Sequence, residues 1–142
     1  MSEPETPNIP VKSVVKMFRI VALLQELDGA RLMEIVNRMD LSKSTVYNHL
    51  KTLENLEYVV NEDGEYRLGF RFLDHGGHTL TRDRRIAIVE DKVQEIAAET
   101  GELCQFLIEE HGRAVIVARE LGKNAVETQT RLGSRLYLHH IT

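Results

Sequence analysis

The stretch LSKSTVYNHLKTL, from Leu41 to Leu53, sets Val46, Leu50 and Leu53 at spacings of four and three, so one narrow face of a helix is apolar. Ser42 stands where an N-cap belongs, its hydroxyl able to accept from backbone N–H groups of the first turn. Around the rest of the helix lie Lys43, Ser44, Thr45, Tyr47, Asn48 and Lys51, a donor-rich face in a chain whose formal net charge is −4.

The flanking sequence gives that helix its setting. From Ser13, the residues Val14, Val15, Phe18, Val21, Leu24 and Leu27 fall at spacings of three and four, which predicts a first helix buried along that stripe and ended by Asp28-Gly29. Leu32, Ile35, Val36 and Met39 predict a short second helix, stopping at Asp40-Leu41. The third helix is the quoted one, its seam running from Val46 to Leu56. After it, EYVVNEDGEYRL places two β-prone runs around Asp63-Gly64, a strong hairpin signal. Three helices and a hairpin make a winged helix-turn-helix, and the expected class is α+β.

Beyond this, a helical stretch from about Phe70 to Leu80, loosened by Gly76-Gly77, leads to an amphipathic helix carrying Ile86, Val89, Val93, Ile96 and Ala97 and ended by Thr100-Gly101. LCQFLIEE, HGR and AVIVARE then read as strand, turn and strand, with a third β-prone piece expected near Ala125. The predicted organisation is an unstructured arm over 1–10, which holds all three prolines, a winged helix over 11–69, a linker helix over 70–84, and a further partial domain over 85–142.

Composition bounds the function. At 142 residues the chain has room for one full domain, or a small domain and part of a second. No segment approaches the ~18 consecutive apolar residues of a membrane span, and MSEPETPNIP lacks the basic and apolar regions of a secretory signal. The expectation is a cytoplasmic protein with no membrane partner. The one cysteine, Cys104, lies in an apolar run and reads as a buried small hydrophobe. Residues 12–58 hold seven Lys/Arg against six Asp/Glu, whereas 86–142 hold six against nine, so attraction to an anionic partner belongs to the first part and depends on placement rather than bulk charge.

In a helix-turn-helix the second helix of the pair enters the DNA major groove while its other face packs on the first. With Val46, Leu50 and Leu53 turned inward, Lys43, Ser44, Tyr47, Asn48 and Lys51 face outward. An asparagine can pair bidentately with adenine, Ser44 and Thr45 can bond phosphate or base edges, and Lys43 and Lys51 suit phosphates. The hairpin tip NEDGE is acidic and repelled by DNA, which makes Arg67 the expected wing contact. A solvated helix face would need no ligand at all, and the short MDLS turn and the following hairpin are what favour DNA. Asp74, His75 and His78 in DHGGH have ligand-type side chains, but three groups on a loose glycine-rich stretch read as linker. Arg82, Arg84 and Arg85, with Asp83 among them, read as a solvated helix start. No phosphate-cradling glycine loop, nucleophile elbow or clustered base and nucleophile is present, so neither an enzyme nor a cofactor is expected.

The runs VKSVVKMFRIVALLQEL, MEIVNRMDLSKSTVYNHLKTLENLEYV and YRLGFRFLDHG resemble the N-terminal domain of the IclR family of transcriptional regulators, in the form seen in archaeal members. AAETGELCQFLIEEHGRAVIV and GSRLYLHHIT are more loosely similar to the opening of that family's effector-binding domain. The resemblance implies homodimeric binding to near-palindromic double-stranded operator DNA, with the first helix and the linker helix as the dimer contact. It also implies an α/β, GAF-like sensor domain that takes a small metabolite. Many family members carry arginine where this chain has Asn48, and leucine where it has His49. Members are usually much longer, so the expectation is a C-terminally truncated sensor whose incompleteness puts a small-molecule effector in doubt. The competing expectation is a protein-interaction module that pairs with full-length relatives and modulates them.

Overall fold

The computed structural model describes residues 7–140, and the chain divides into two compact units, one reaching to Phe72 and one beginning at Leu73. Residues 1–6 of the expected arm lie outside the described residues; residues 7–10 belong to no helix or strand.

In the first unit, α1 spans Lys12–Leu27, β1 Ala30–Arg31, α2 Leu32–Met39, α3 Lys43–Asn55, β2 Val59–Glu62 and β3 Glu65–Leu68. The strands form an antiparallel sheet in the order β1-β3-β2. Asp63 and Gly64 have φ of 52° and 84°, the paired positive values of a two-residue turn whose twist matches the strands it joins. Three helices and a wing are therefore present, with one strand the sequence did not announce. At two residues, β1 is too short to leave a periodic signal, and it exists because Ala30 and Arg31 meet Tyr66 and Glu65 in register.

The core draws on every element: Ile20 and Leu24 from α1, Ala30 from β1, Ile35 and Met39 from α2, Val46, Leu50 and Leu53 from α3, Val59 from β2 and Tyr66 from β3. Ile20, Ile35, Val46 and Leu50 are each 0% exposed, and burying one such side chain contributes about 1.5–3 kcal/mol. The α1 face differs from the expected stripe. Ile20 and Leu24 are buried, with Met17, Val21, Leu23 and Leu27 packed against the core, while Val14 and Phe18 stay 45% and 55% exposed. The helix carries two overlapping apolar stripes, and a 3.6-residue period admits either. Leu56, placed at the end of the α3 seam from the sequence, caps the helix and is 50% exposed. Past the wing, Tyr58 meets the Phe72 ring at 5.0 Å, and the Arg71 guanidinium lies 5.0 Å over the Tyr58 ring while Arg71 donates to Leu56 O at 2.8 Å. These contacts pin the start of α4, which spans Arg71–Thr81.

In the second unit, α5 (Arg84–Thr100) packs on an antiparallel sheet in the order β4-β5-β6, formed by Leu103–Glu110, Arg113–Leu121 and Arg135–Tyr137. Ile86, Val93 and Ala97 of α5 and Ala114, Ile116, Val117 and Ala118 of β5 are buried. Ile96, expected on the inner face, is 46% exposed, and Cys104, expected buried, is half-buried. A close backbone approach fixes how the sheet leaves α5: a Cβ on Gly122 would lie 2.1 Å from the Gly101 carbonyl carbon. The third strand lies about ten residues later than expected. The polar segment before it instead runs beside β5, tied by Gly133 N–H to Ile116 O at 2.8 Å and Ile116 N–H to Ser134 O at 3.0 Å. Among the described residues, no helix is long and apolar enough to cross a membrane.

Candidate nucleic-acid interface

The helix pair α2–α3 is joined by Asp40, Leu41 and Ser42, with Asp40 left-handed at φ 53° as the C-cap of α2. The Ser42 hydroxyl oxygen accepts from Thr45 N–H at 3.2 Å and the hydroxyl donates to Thr45 Oγ1 at 2.7 Å. Thr45 is thus half-buried and engaged in the cap rather than open to a ligand.

The remaining α3 residues sort by face. Val46, Leu50 and Leu53 are buried, whereas Lys43, Ser44, Tyr47, Asn48 and Lys51 are all exposed. The sequence-derived outward face is therefore brought together on one helix. Its charges are not all unengaged: Lys51 Nζ lies 3.2 Å from the Glu54 carboxylate, which sits half-buried one turn on. Asn48 accepts at its backbone carbonyl from the Thr52 hydroxyl at 2.7 Å, an ordinary helix back-bond involving none of its amide.

Two flanking groups anchor the helix. On the hairpin side, Tyr66 is 7% exposed, and burial pushes its phenol above the usual range, with nearby Glu54 and Tyr47 adding in the same direction. On the α1 side, His49 Nδ1 lies 2.8 Å from Thr45 O and Nε2 lies 3.2 Å from Ser13 O. The first turn of α1, with Lys12 and Lys16 around Ser13, therefore borders the outward face.

The wing differs in detail. The Arg67 guanidinium donates to Glu65 at 2.6 Å and lies 4.0 Å from the Asp28 carboxylate, so it is held by two acids. Arg31, which sequence reasoning did not single out, reaches the turn itself, donating to Asp63 O at 3.1 Å. The signal that could have found Arg31 or His49 is a long-range partner, which a single sequence does not carry, whereas Glu54 stands three residues from Lys51, a helical ion-pair spacing that sequence reasoning passed over. Asp74, His75 and His78 lie exposed on α4, and among the described residues no three His, Cys, Asp or Glu side chains cluster as metal ligands.

Residues 13–63 match the IclR helix-turn-helix domain family. The chain is 28% identical over 132 residues to the HTH-type transcriptional regulator XynR of Escherichia coli, covering 91% of this chain and 52% of that protein. It is also 28% identical over 131 residues to the HTH-type transcriptional regulator KdgR of Dickeya chrysanthemi, covering 91% and 43%. The chain spans about half the length of the relatives it matches. Among solved structures, the Thermotoga maritima IclR superposes with a TM-score of 0.73 at 22% identity over 89% of this chain and 52% of that one, a likeness of fold. The turn between α2 and α3 and the capped α3 fall inside the matched segment, and the wing begins within it and runs just past it, so the likeness to the IclR helix-turn-helix domain rests on the elements just described.

Proposed function

We propose that this chain is a sequence-specific DNA-binding regulator of transcription, that α3 enters the major groove of operator DNA, and that two copies bind together as a homodimer. One observation carries the reading: α3 buries Val46, Leu50 and Leu53 while Lys43, Ser44, Tyr47, Asn48 and Lys51 stand exposed on a single face. Asn48 reads adenine, Ser44 reaches a base edge or phosphate, Lys43 and Lys51 contact phosphates, and Tyr47 packs beside the backbone. Thr45 acts through the cap, and Arg67 reaches DNA only by leaving Glu65 and Asp28. The regulator names of the relatives support the reading.

Pairing is supported by the apolar side chains that the folded chain leaves in water, Val14 and Phe18 on α1 and Phe70 and Leu73 about the start of α4, at 45%, 55%, 90% and 69% exposure. One helix in one groove makes few contacts, and helix-turn-helix proteins commonly double them across two half-sites. The same residues also suit the second reading, a module that pairs with longer relatives. A gel shift on the DNA upstream of its own gene, with the chain alone and with a full-length relative, separates the two. A sequence-selective shift by the chain alone, lost linearly in log affinity with log salt, is the expected result. A shift seen only in the mixture supports the pairing module, and no shift in either lane sinks both.

A further inference from the structure

The α3 seam fixes how deep the helix sits, because apolar burial is strong but non-directional. It settles which face turns inward, but holds small rotations about the helix axis less sharply than a directional contact does. A rotation of about 10° displaces a side-chain tip 6 Å from the axis by about 1 Å, beyond the tolerance of a bidentate contact. Hydrogen bonds are directional, and on the α1 side of α3 the His49 side chain supplies them. The His49 ring spans two backbone oxygens, its own helix's Thr45 O at 2.8 Å and the Ser13 O of α1 at 3.2 Å. The nearer contact fixes the ring on α3, and the farther one ties it to a different helix, so the ring is a strut rather than a swinging arm. Both partners are carbonyls and only accept, so the tie to α1 is made by a ring N–H on Nε2. Asn48, adjacent in sequence, lines with Met17, His49 and Thr52 an open surface pocket of about 140 Å³, so no close packing on that side holds its angle in place of the strut.

We infer that His49 is a positioning residue for DNA reading, setting the angle at which α3 presents Asn48; the inference rests on the DNA-binding function proposed above. A leucine here would fill the space without tying α3 to α1.

The test compares the intact chain with His49→Leu and His49→Gln on its selected site and on random DNA of equal length. His49→Leu loses about tenfold on the selected site and less than about twofold on random DNA, while His49→Gln, whose amide can still reach Ser13 O, stays within about threefold of the parent. Melting temperatures for both variants separate this from unfolding. Equal losses on both DNAs, or parental affinity for His49→Leu, overturn the inference. If His49→Leu fails to fold, ring-nitrogen NMR of the parent decides: a slowly exchanging Nε2–H supports the strut, and a ring without one, or with Nε2–H exchanging as fast as in free imidazole, refutes it. A parent that binds no DNA, with its ring N–H still protected, overturns the function and with it the role of His49, leaving the strut as a packing feature.

Discussion

Asn48 and Lys51 lie about one turn apart on the same exposed face, yet the physics of their contacts predicts unlike losses. An asparagine paired to adenine discriminates between bases, so Asn48→Ala should cost about 1–3 kcal/mol on the preferred site and little on random DNA. A lysine at a phosphate releases counterions on any sequence, so Lys51→Ala should weaken binding uniformly and lower the salt slope by about one unit. Anisotropy titrations at several salt concentrations on both DNAs check the pair, and equal losses on the two DNAs for Asn48→Ala would show that it reads no bases. The Lys51–Glu54 pair adds a third expectation. Its partners are 50% and 31% exposed at the side chain, so the ion pair itself is worth little, but in the proposed DNA complex the carboxylate would stand beside Lys51 toward the same polyanion. Glu54→Gln should therefore tighten binding several-fold on every sequence and steepen the salt slope, and unchanged affinity at low salt would place Glu54 away from DNA. The outward face was legible from spacing alone because inward and outward positions of one helix follow from its own period. The engagement of Arg67 by Glu65 and Asp28, the cap role of Thr45 and the His49 bridge were not, since each depends on a rotamer or on a residue elsewhere in the chain.

Among elements, the helix ends carry the clearest consequences. Ser42 is the N-cap of α3 and also aligns Thr45, so Ser42→Ala should destabilise the first unit by about 1 kcal/mol and loosen the turn that delivers Lys43 and Ser44. Chemical denaturation measures the loss, and an unchanged midpoint would mean that the cap is dispensable. At the start of α5, Asp83 accepts from the Arg85 side chain and backbone N–H, which hold its carboxyl down to about 2 from an ordinary 3.8, with Arg82 a lesser contributor. A carboxyl whose folded pKa is depressed contributes stability above its unfolded value and loses it as pH falls toward the folded one. The first turn of α5 should accordingly loosen between about pH 4 and pH 2, visible in the Arg85 amide resonance; a midpoint near 4 would mean that the cap is absent in solution. Helices of more than two turns, and the hairpins at Asp63-Gly64 and His111-Gly112, were legible because period and turn chemistry are local. What sequence could not place was set by pairing: β1 exists only against β3, β6 only against the first residues of β5, and the choice between two α1 stripes is made by α2, α3 and the wing.

At the scale of the whole molecule, the two units differ in what holds them. The core of the first unit closes on itself, with large side chains such as Ile20, Leu24, Ile35, Leu50 and Val59 supplied by all three helices and the sheet. Among the described residues of the second unit, three of the seven buried hydrophobics are alanines, Ala97, Ala114 and Ala118, while Phe106, Ile108 and Leu121 remain 39–41% exposed on β4 and β5. Alanine buries little area, so its contribution per residue is well below that of leucine or isoleucine. The sheet also ends in β4 on one side, an edge strand whose backbone groups can pair with another chain. Local stability varies across a structure with such differences in burial, and amide exchange resolves them. Residues 86–121 should therefore exchange faster than 20–66 and unfold at lower denaturant, while operator affinity persists through that first transition because α3 and its supports lie wholly in the other unit. A single transition reported alike by amides of α3 and β5, with DNA binding lost in the same step, would mean that the two units share their stability and that the first core is not self-sufficient.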